Sequence, residues 1–251
     1  MPITIKSARE IELMKEAGRI LEIVHEEMAK ALRPGMSTLE IDKLGEEVIR
    51  SYGCTPSFLN YNGYPASVCV SVNDEVVHGI PSSKRIIKEG DIVGLDAGVI
   101  YKGYHSDAAR THAIGEVSEE AKKLIRVTRE SFFEGIKYAK EGNYLFEISA
   151  AIGKYARERG YGVVRDLCGH GIGAQLHEAP EIPNYEMGRR GVRLRKGMTL
   201  AIEPMINIGT HEVEWLDDDW TGVTADGSLS AHYENTVLIT EGEPVLLTLS
   251  K

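Results

Sequence analysis

The 251-residue sequence contains one stretch of itself twice. RPGMSTLEIDKLGEEVIRSYG at 33–53 aligns with KEGNYLFEISAAIGKYARERG at 140–160, so that Gly35 falls on Gly142, Glu40 on Glu147, Ile41 on Ile148, Arg50 on Arg157 and Gly53 on Gly160. The same offset carries KEGDIVGLD at 88–96 onto RKGMTLAIE at 195–203, which matches Gly90 with Gly197 and Asp96 with Glu203. One offset kept over so long a gap marks a duplication and restricts the chain to folds with an internal two-fold. Each copy reads as a long helix, a glycine turn, a second helix and then strands, with helices at 7–32 and 37–52 and strands within 91–114 in the first. The expected fold is α/β (α+β). Its halves, about 1–115 and 116–251, would be related by a pseudo-two-fold and join mainly antiparallel strands into a single domain.

Composition excludes several settings. With 42% hydrophobic and 27% charged residues the chain can bury a sizeable core and is not a disordered or fibrous protein. No run of about 18 apolar residues occurs, and the opening MPITIKSAREIELMKEAG has a charged amphipathic pattern rather than that of a leader peptide. Cys54, Cys69 and Cys168 are odd in number and lack C-x-x-C spacing, which argues against a disulfide framework and a thiolate zinc site. A reducing cytoplasm, away from membranes, is therefore expected. A net charge of −9 disfavours binding to DNA. The local exception is RRGVRLRK at 189–196, a kind of run that is ordinarily a solvated face.

The duplication also points to a cation site. In GDIVGLDAGVIYKGYHSDAARTHAIG at 90–115 two strands flank a Tyr101-Lys102-Gly103 turn, and a tight hairpin there would place Asp96 nearly opposite Asp107 on one face. At a Cβ separation of about 5 Å the two charges repel by roughly 3 kcal/mol, which calls for a proton or a cation between them. The second half repeats the device, with Glu203 and Glu234 read as set inside apolar strands. His170 and His177, in CGHGIGAQLHEAP at 168–180, are seven apart among glycines and read as loop and turn rather than as a metal-binding helix. Four carboxylates with His170 form an oxygen-rich set suited to a pair of divalent ions such as manganese, iron(II) or cobalt. Two such ions could hold a shared hydroxide at neutral pH.

Five motifs, HGIP at 78–81, DAGVIYKGYHSDAART at 96–111, GHGIGAQLHEAP at 169–180, IEPM at 202–205 and SAHYEN at 230–235, closely resemble those of type I methionine aminopeptidases over essentially the whole chain. The resemblance implies the pita-bread fold and a dinuclear centre held by Asp96, Asp107, His170, Glu203 and Glu234. Cobalt, manganese, iron(II), zinc or nickel would fill it. It further implies that His78 contacts the substrate amide, that His177 stabilises the developing oxyanion, and that Glu203 moves the proton to the leaving amine. Tyr61, Tyr64, Cys69 and Trp220 match the methionine pocket, and thioether sulfur is favoured against aromatic edges. Leu176, where the family usually carries Phe, and Phe58, where a smaller residue is common, depart from its pattern.

The implied activity is removal of N-terminal methionine from nascent chains with a small second residue, by metal-activated hydroxide. Asn73 and Ser230 match a monovalent-cation site of some members, and RRGVRLRK would serve transient docking to ribosomal RNA by a monomer. His105, His112, His211 and His232 fall outside the matched positions and read as structural or surface groups. Two alternatives stand beside this reading. An X-Pro peptidase of the same fold would carry a large extra N-terminal domain, whereas only 95 residues precede Asp96. A non-catalytic binding protein of this fold would be expected to have lost ligands.

Overall fold

Helix boundaries follow from local chemistry. In the computed structural model, which describes residues 2–249, α1 (Ala8–Ala31) is opened by Ser7 and Glu10 and α2 (Thr38–Ser51) by Ser37 and Glu40, each pair a reciprocal capping box. The second half answers with α3 (Glu119–Ile136), capped by Ser118, and α4 (Leu145–Arg157). Here Tyr144 donates its backbone N–H to the Glu147 carboxylate at 2.8 Å, as Ser37 does to Glu40 at 2.8 Å. The matched pair Glu40 and Glu147 thus marks equivalent helix starts.

The duplication persists in the backbone. Gly35 and Gly142 both adopt a left-handed φ, 90° and 91°, a conformation that a residue with a side chain rarely takes. Gly35 N–H donates to Ile87 O at 2.8 Å, and Gly142 N–H donates to Leu194 O at 3.0 Å, again one offset apart. Isolated bridges repeat the match, Ser37 with Ile86 and Tyr144 with Arg193.

Each half has its own apolar core. In the first, Ile20, Leu21, Val24 and Met28 recur at helical spacing along α1 and pack with Ile41 and Ile49 of α2 over strand residues Val68, Val70, Leu95 and Val99. In the second, Phe132, Ile148 and Ile152 cover Leu200, Ile202 and Val237. A third cluster, including Met14, Phe58, Tyr64, Leu176, Ala201 and Leu247, draws on both halves and lies beside the candidate site.

Among the described residues every strand ladder is antiparallel, and hydrogen bonding groups the strands into four sheets. The long hairpin of the first half pairs Ile92–Tyr101 with Tyr104–Ala113. It meets the second half where Asp107 N–H donates to Thr236 Oγ1 (2.9 Å), the Thr236 hydroxyl donates to Asp107 O (2.9 Å), and Glu234 N–H donates to Ala109 O (3.0 Å).

Three local expectations are corrected. The hairpin turn has two residues, Lys102 (φ 48°) and Gly103 (φ 86°), not three. The register therefore shifts, so that Asp96 faces Ala109 and Asp107 faces Gly98. The two carboxylates are diagonal neighbours on one face rather than opposite each other, a separation of roughly 7–8 Å in such ladders. Glu203 and Glu234 are not inside strands. Each sits in a two-residue break, between Thr199–Ile202 and Met205–Asn207 and between Ser230–His232 and Asn235–Leu238, where the chain can turn a side chain out of the ladder.

The glycines around His170 do not form a loop either. Gly169–Gly171 is a strand paired on both sides, to Glu178–Ile182 and to Thr199–Ile202. Its glycines answer crowding rather than turning, since a Cβ on Gly171 would lie 2.2 Å from Ala179 O and one on Gly169 2.3 Å from Ala201 O. Gly171→Ala should therefore lower stability by about 1–3 kcal/mol in urea unfolding. Gly242→Ala, where nothing lies within 4 Å, should stay within about 0.5 kcal/mol. Equal midpoints for the two variants would refute this account of the strand.

Candidate metal centre and substrate cavity

The hairpin, the glycine strand and the two strand breaks converge on one cavity of about 130 Å³. Its wall contains Tyr61, Tyr64, Cys69, His78, Asp96, Asp107, His170, His177, Glu203, Trp220 and Glu234, so every catalytic, pocket and ligand candidate named from sequence lines the same space. Phe58, Asn62 and Leu176 line it as well. Phe58 and Leu176, the two departures in the sequence, therefore shape the cavity directly.

At the floor, single donor atoms of Asp107, His170 and Glu234 lie within 4.8 Å of one another, all three residues buried. His170 Nε2 is 3.8 Å from Asp107 Oδ2 and 3.6 Å from Glu203 Oε1. Asp96 Oδ1, Asp107 Oδ1 and Glu234 Oε1 are enclosed without any hydrogen-bond partner. Orphaned buried carboxylate oxygens are costly, and a cluster of them fits a divalent cation. Arg110 offsets the cluster only through its charge: its guanidinium donates to the backbone carbonyl of Glu234 and to Asn235 Oδ1 (2.6 Å), not to the Glu234 carboxylate.

The electrostatics follow from burial. Without a cation, desolvation pushes Asp96 up to about 7 and Glu203 up to about 8. Asp107 and Glu234 are driven well above the usual carboxylate range, first by burial and then by the neighbouring acids. Burial pushes His170 down to about 3 and His78 and His232 down to about 4, so these imidazoles are neutral, the form that binds metal or shares a ring proton with substrate.

Around the floor the side chains are braced. His177, at the mouth, places Nδ1 2.8 Å from the Tyr61 hydroxyl and its ring centroid 4.2 Å from that of His170. His78 has φ 59°, a sparsely populated conformation for a residue with a side chain, and its ring lies 6.3 Å from Trp220 and 6.5 Å from Trp215. Tyr64 donates its hydroxyl to Gly79 O at 3.0 Å and meets Trp220 edge-on at 5.1 Å. Asn184 Nδ2 donates to Glu203 O at 3.0 Å and fixes the strand break.

His232 falls outside the sequence motifs' matched positions, yet it joins the site: its Nε2 lies 3.6 Å from Glu203 Oε2 and has no hydrogen-bond partner. No local pattern marks this, because its partner is 29 residues away. His105 and His112 stay outside the cavity wall, His105 Nδ1 lying 3.0 Å from Ser57 Oγ. Asn73 and Ser230 are brought together, Ser230 N–H donating to Asn73 O at 2.9 Å, while the Asn73 amide is engaged by Asp91 and Ile92.

Comparison with known proteins bears on this geometry. Residues 12–241 match metallopeptidase family M24. A methionine aminopeptidase of Clostridium acetobutylicum is 54% identical over 247 residues, 98% of this chain and 99% of that one. The crystal structure of a Thermotoga maritima methionine aminopeptidase superposes with a TM-score of 0.97 at 45% identity, over 99% of this chain and 100% of that one. An Xaa-Pro dipeptidase from Bacillus anthracis also superposes, with a TM-score of 0.80 at 30% identity over 98% of this chain but only 62% of the other.

Proposed function

The chain belongs to metallopeptidase family M24 and has the pita-bread fold, and from that premise we propose that it removes the N-terminal methionine of peptides and nascent proteins, chiefly when the second residue is small. The observation that carries the reading is the single cavity with acids and an imidazole at its floor and Tyr64, Cys69 and Trp220 in its wall. Membership of this family brings divalent metal with it. Asp96, Asp107, His170, Glu203 and Glu234 would hold two such ions. Bound there, the ions supply Lewis acidity at neutral pH.

The chain's own groups do the rest. With the Tyr61 hydroxyl donating to Nδ1, the neutral His177 ring carries its proton on Nε2 and can donate it to the scissile carbonyl oxygen as charge develops there. His78, held in a strained backbone between Trp215 and Trp220, meets the substrate amide. Glu203, whose two carboxylate oxygens face His170 and His232, carries a proton to the leaving amine. Tyr61, Tyr64, Cys69 and Trp220 receive the thioether side chain, which packs well on aromatic edges. A monovalent cation beside Asn73 and Ser230, a single domain acting as a monomer in the cytoplasm, and transient ribosome docking through 189–196 belong to the same reading. No helix among the described residues is long and apolar enough to cross a membrane. Ribosome co-sedimentation unchanged by charge reversal at Arg189 and Arg190 would remove the docking element.

The test compares Met-Gly-Met-Met with an X-Pro tripeptide lacking methionine, using metal-stripped protein resupplied with Mn(II), Fe(II) or Co(II) and a chelated control. Metal-dependent methionine release from the first peptide alone is expected. Cleavage of the X-Pro peptide alone would move the chain to the proline-directed branch, and no turnover despite bound metal would make it a binding scaffold.

A further inference from the structure

His170 and His177 also line a second, larger cleft of about 930 Å³, which the reaction steps above do not use. One side of it is Glu178–Ile182, the edge strand of the five-stranded sheet. The other includes Leu145 and Phe146 at the start of α4 and the segment from Arg189 to Val192, part of the basic run. That segment is built in rather than free. Phe146 N–H donates to Arg190 O at 3.1 Å and Leu145 N–H to Val192 O at 2.9 Å, so the run caps N–H groups that the helix itself leaves without partners. Gly191 (φ 73°) lies so close to Phe146 that a Cβ there would be 2.9 Å from the ring.

The cleft's two walls differ in charge. Arg189 lies 5.5 Å from the Phe146 ring centroid, and Arg190 lies 5.2 Å from that of Tyr144. Glu178 is neutralised by Lys6 at 2.7 Å, while exposed Glu181 is an acid on the strand side. Beyond Trp220 the exposed Asp217, Asp218 and Asp219 make an acidic flank. The basic helix-side wall of the cleft and the acidic stretch next to Trp220 in sequence thus differ in sign, on a protein whose net charge is −9.

We infer that this cleft takes the substrate chain beyond its second residue and that Arg189 selects an acidic side chain there. The inference rests on the methionine-releasing reading above. An extended chain advances about 3.3 Å per residue, so the third to sixth residues together span about 13 Å of the cleft. An exposed ion pair of this kind corresponds to a preference of about threefold. It acts on binding remote from the reacting bond, so it moves KM rather than kcat.

The experiment uses the full chain loaded with Mn(II) and Met-Gly peptides carrying one Asp or one Lys at each of positions three to six. At one or two adjacent positions Asp is expected to exceed Lys about threefold in kcat/KM, through KM, with the ratio falling toward one in 1 M salt. Arg189→Ala should bring the ratio to one, Arg189→Glu should invert it, and Arg189→Lys should retain it. Release of methionine with a ratio of one at every position, a ratio that ignores Arg189→Glu, or a Lys preference, which places the chain on the Asp217–Asp219 side, would each overturn the inference while leaving methionine release intact. No release from any peptide would overturn both together.

Discussion

Glu203→Gln is expected to lower kcat for methionine release by about 10²–10⁴-fold. The substitution keeps the shape of the side chain and its backbone anchor, the Asn184 contact to Glu203 O, but removes the group proposed to take and return a proton. It also leaves Nε2 of His170 and of His232, each 3.6 Å from a Glu203 oxygen, facing an amide. Steady-state kinetics on Met-Gly-Met-Met, with metal content measured on the same preparation, separates lost proton transfer from lost ions. A fall of less than tenfold with metal retained would end the assignment of Glu203 as the proton carrier.

Metal removal should make the fold sensitive to alkali. An acid whose folded pKa is raised contributes stability that is present at low pH and lost as pH rises toward the folded value. Asp96 near 7, Glu203 near 8, and Asp107 and Glu234 well above their ordinary range all act in that direction. The buried neutral histidines act oppositely, but only below their ordinary value of 6.5, since His170 is held near 3 and His78 and His232 near 4. Between pH 6.5 and 8 the acids alone determine the sign. Each acid still protonated in the fold across that window corresponds to about 2 kcal/mol of lost stability. Chelated protein should therefore lose roughly 10 °C in Tm from pH 6.5 to 8, and Mn(II) should restore it. A chelated protein with the same Tm at both values would show that the carboxylate cluster is not the strained element described.

Much of this was legible because the duplication leaves local marks. Glu40 and Glu147 start helices, Gly35 and Gly142 turn the chain, and Asp96 and Glu203 occupy matched positions, all through interactions spanning a few residues or one offset. The four acids Asp96, Asp107, Glu203 and Glu234 are candidates for the same reason, whereas His78, His177, Tyr61, Tyr64, Cys69 and Trp220 rest on the motif resemblance alone. What could not be read depends on partners far away in sequence. Whether Lys102-Gly103 forms a two-residue or a three-residue turn decides which residue faces Asp96, and the sequence Tyr-Lys-Gly permits both. Gly169–Gly171 has the composition of a loop, and only the approach of Ala179 O and Ala201 O makes it a strand. The basic run at 189–196 is the solvated face its composition suggests, with its basic side chains exposed, but that its carbonyls also cap α4 from some 45 residues away is not visible locally.

The joint between the halves has a consequence for assembly. Asp96 and Asp107 come from the first half and His170, Glu203 and Glu234 from the second, and the halves meet at Thr236, Ala109 and this carboxylate and imidazole cluster. On the proposed assignment neither half alone holds the ligand set, so a cation bound there fastens one half to the other. Two fragments divided between Ile114 and Ser118, in the connection that leads into α3, would associate more tightly with the metal than without it, and the bound ion would report that the two copies had met.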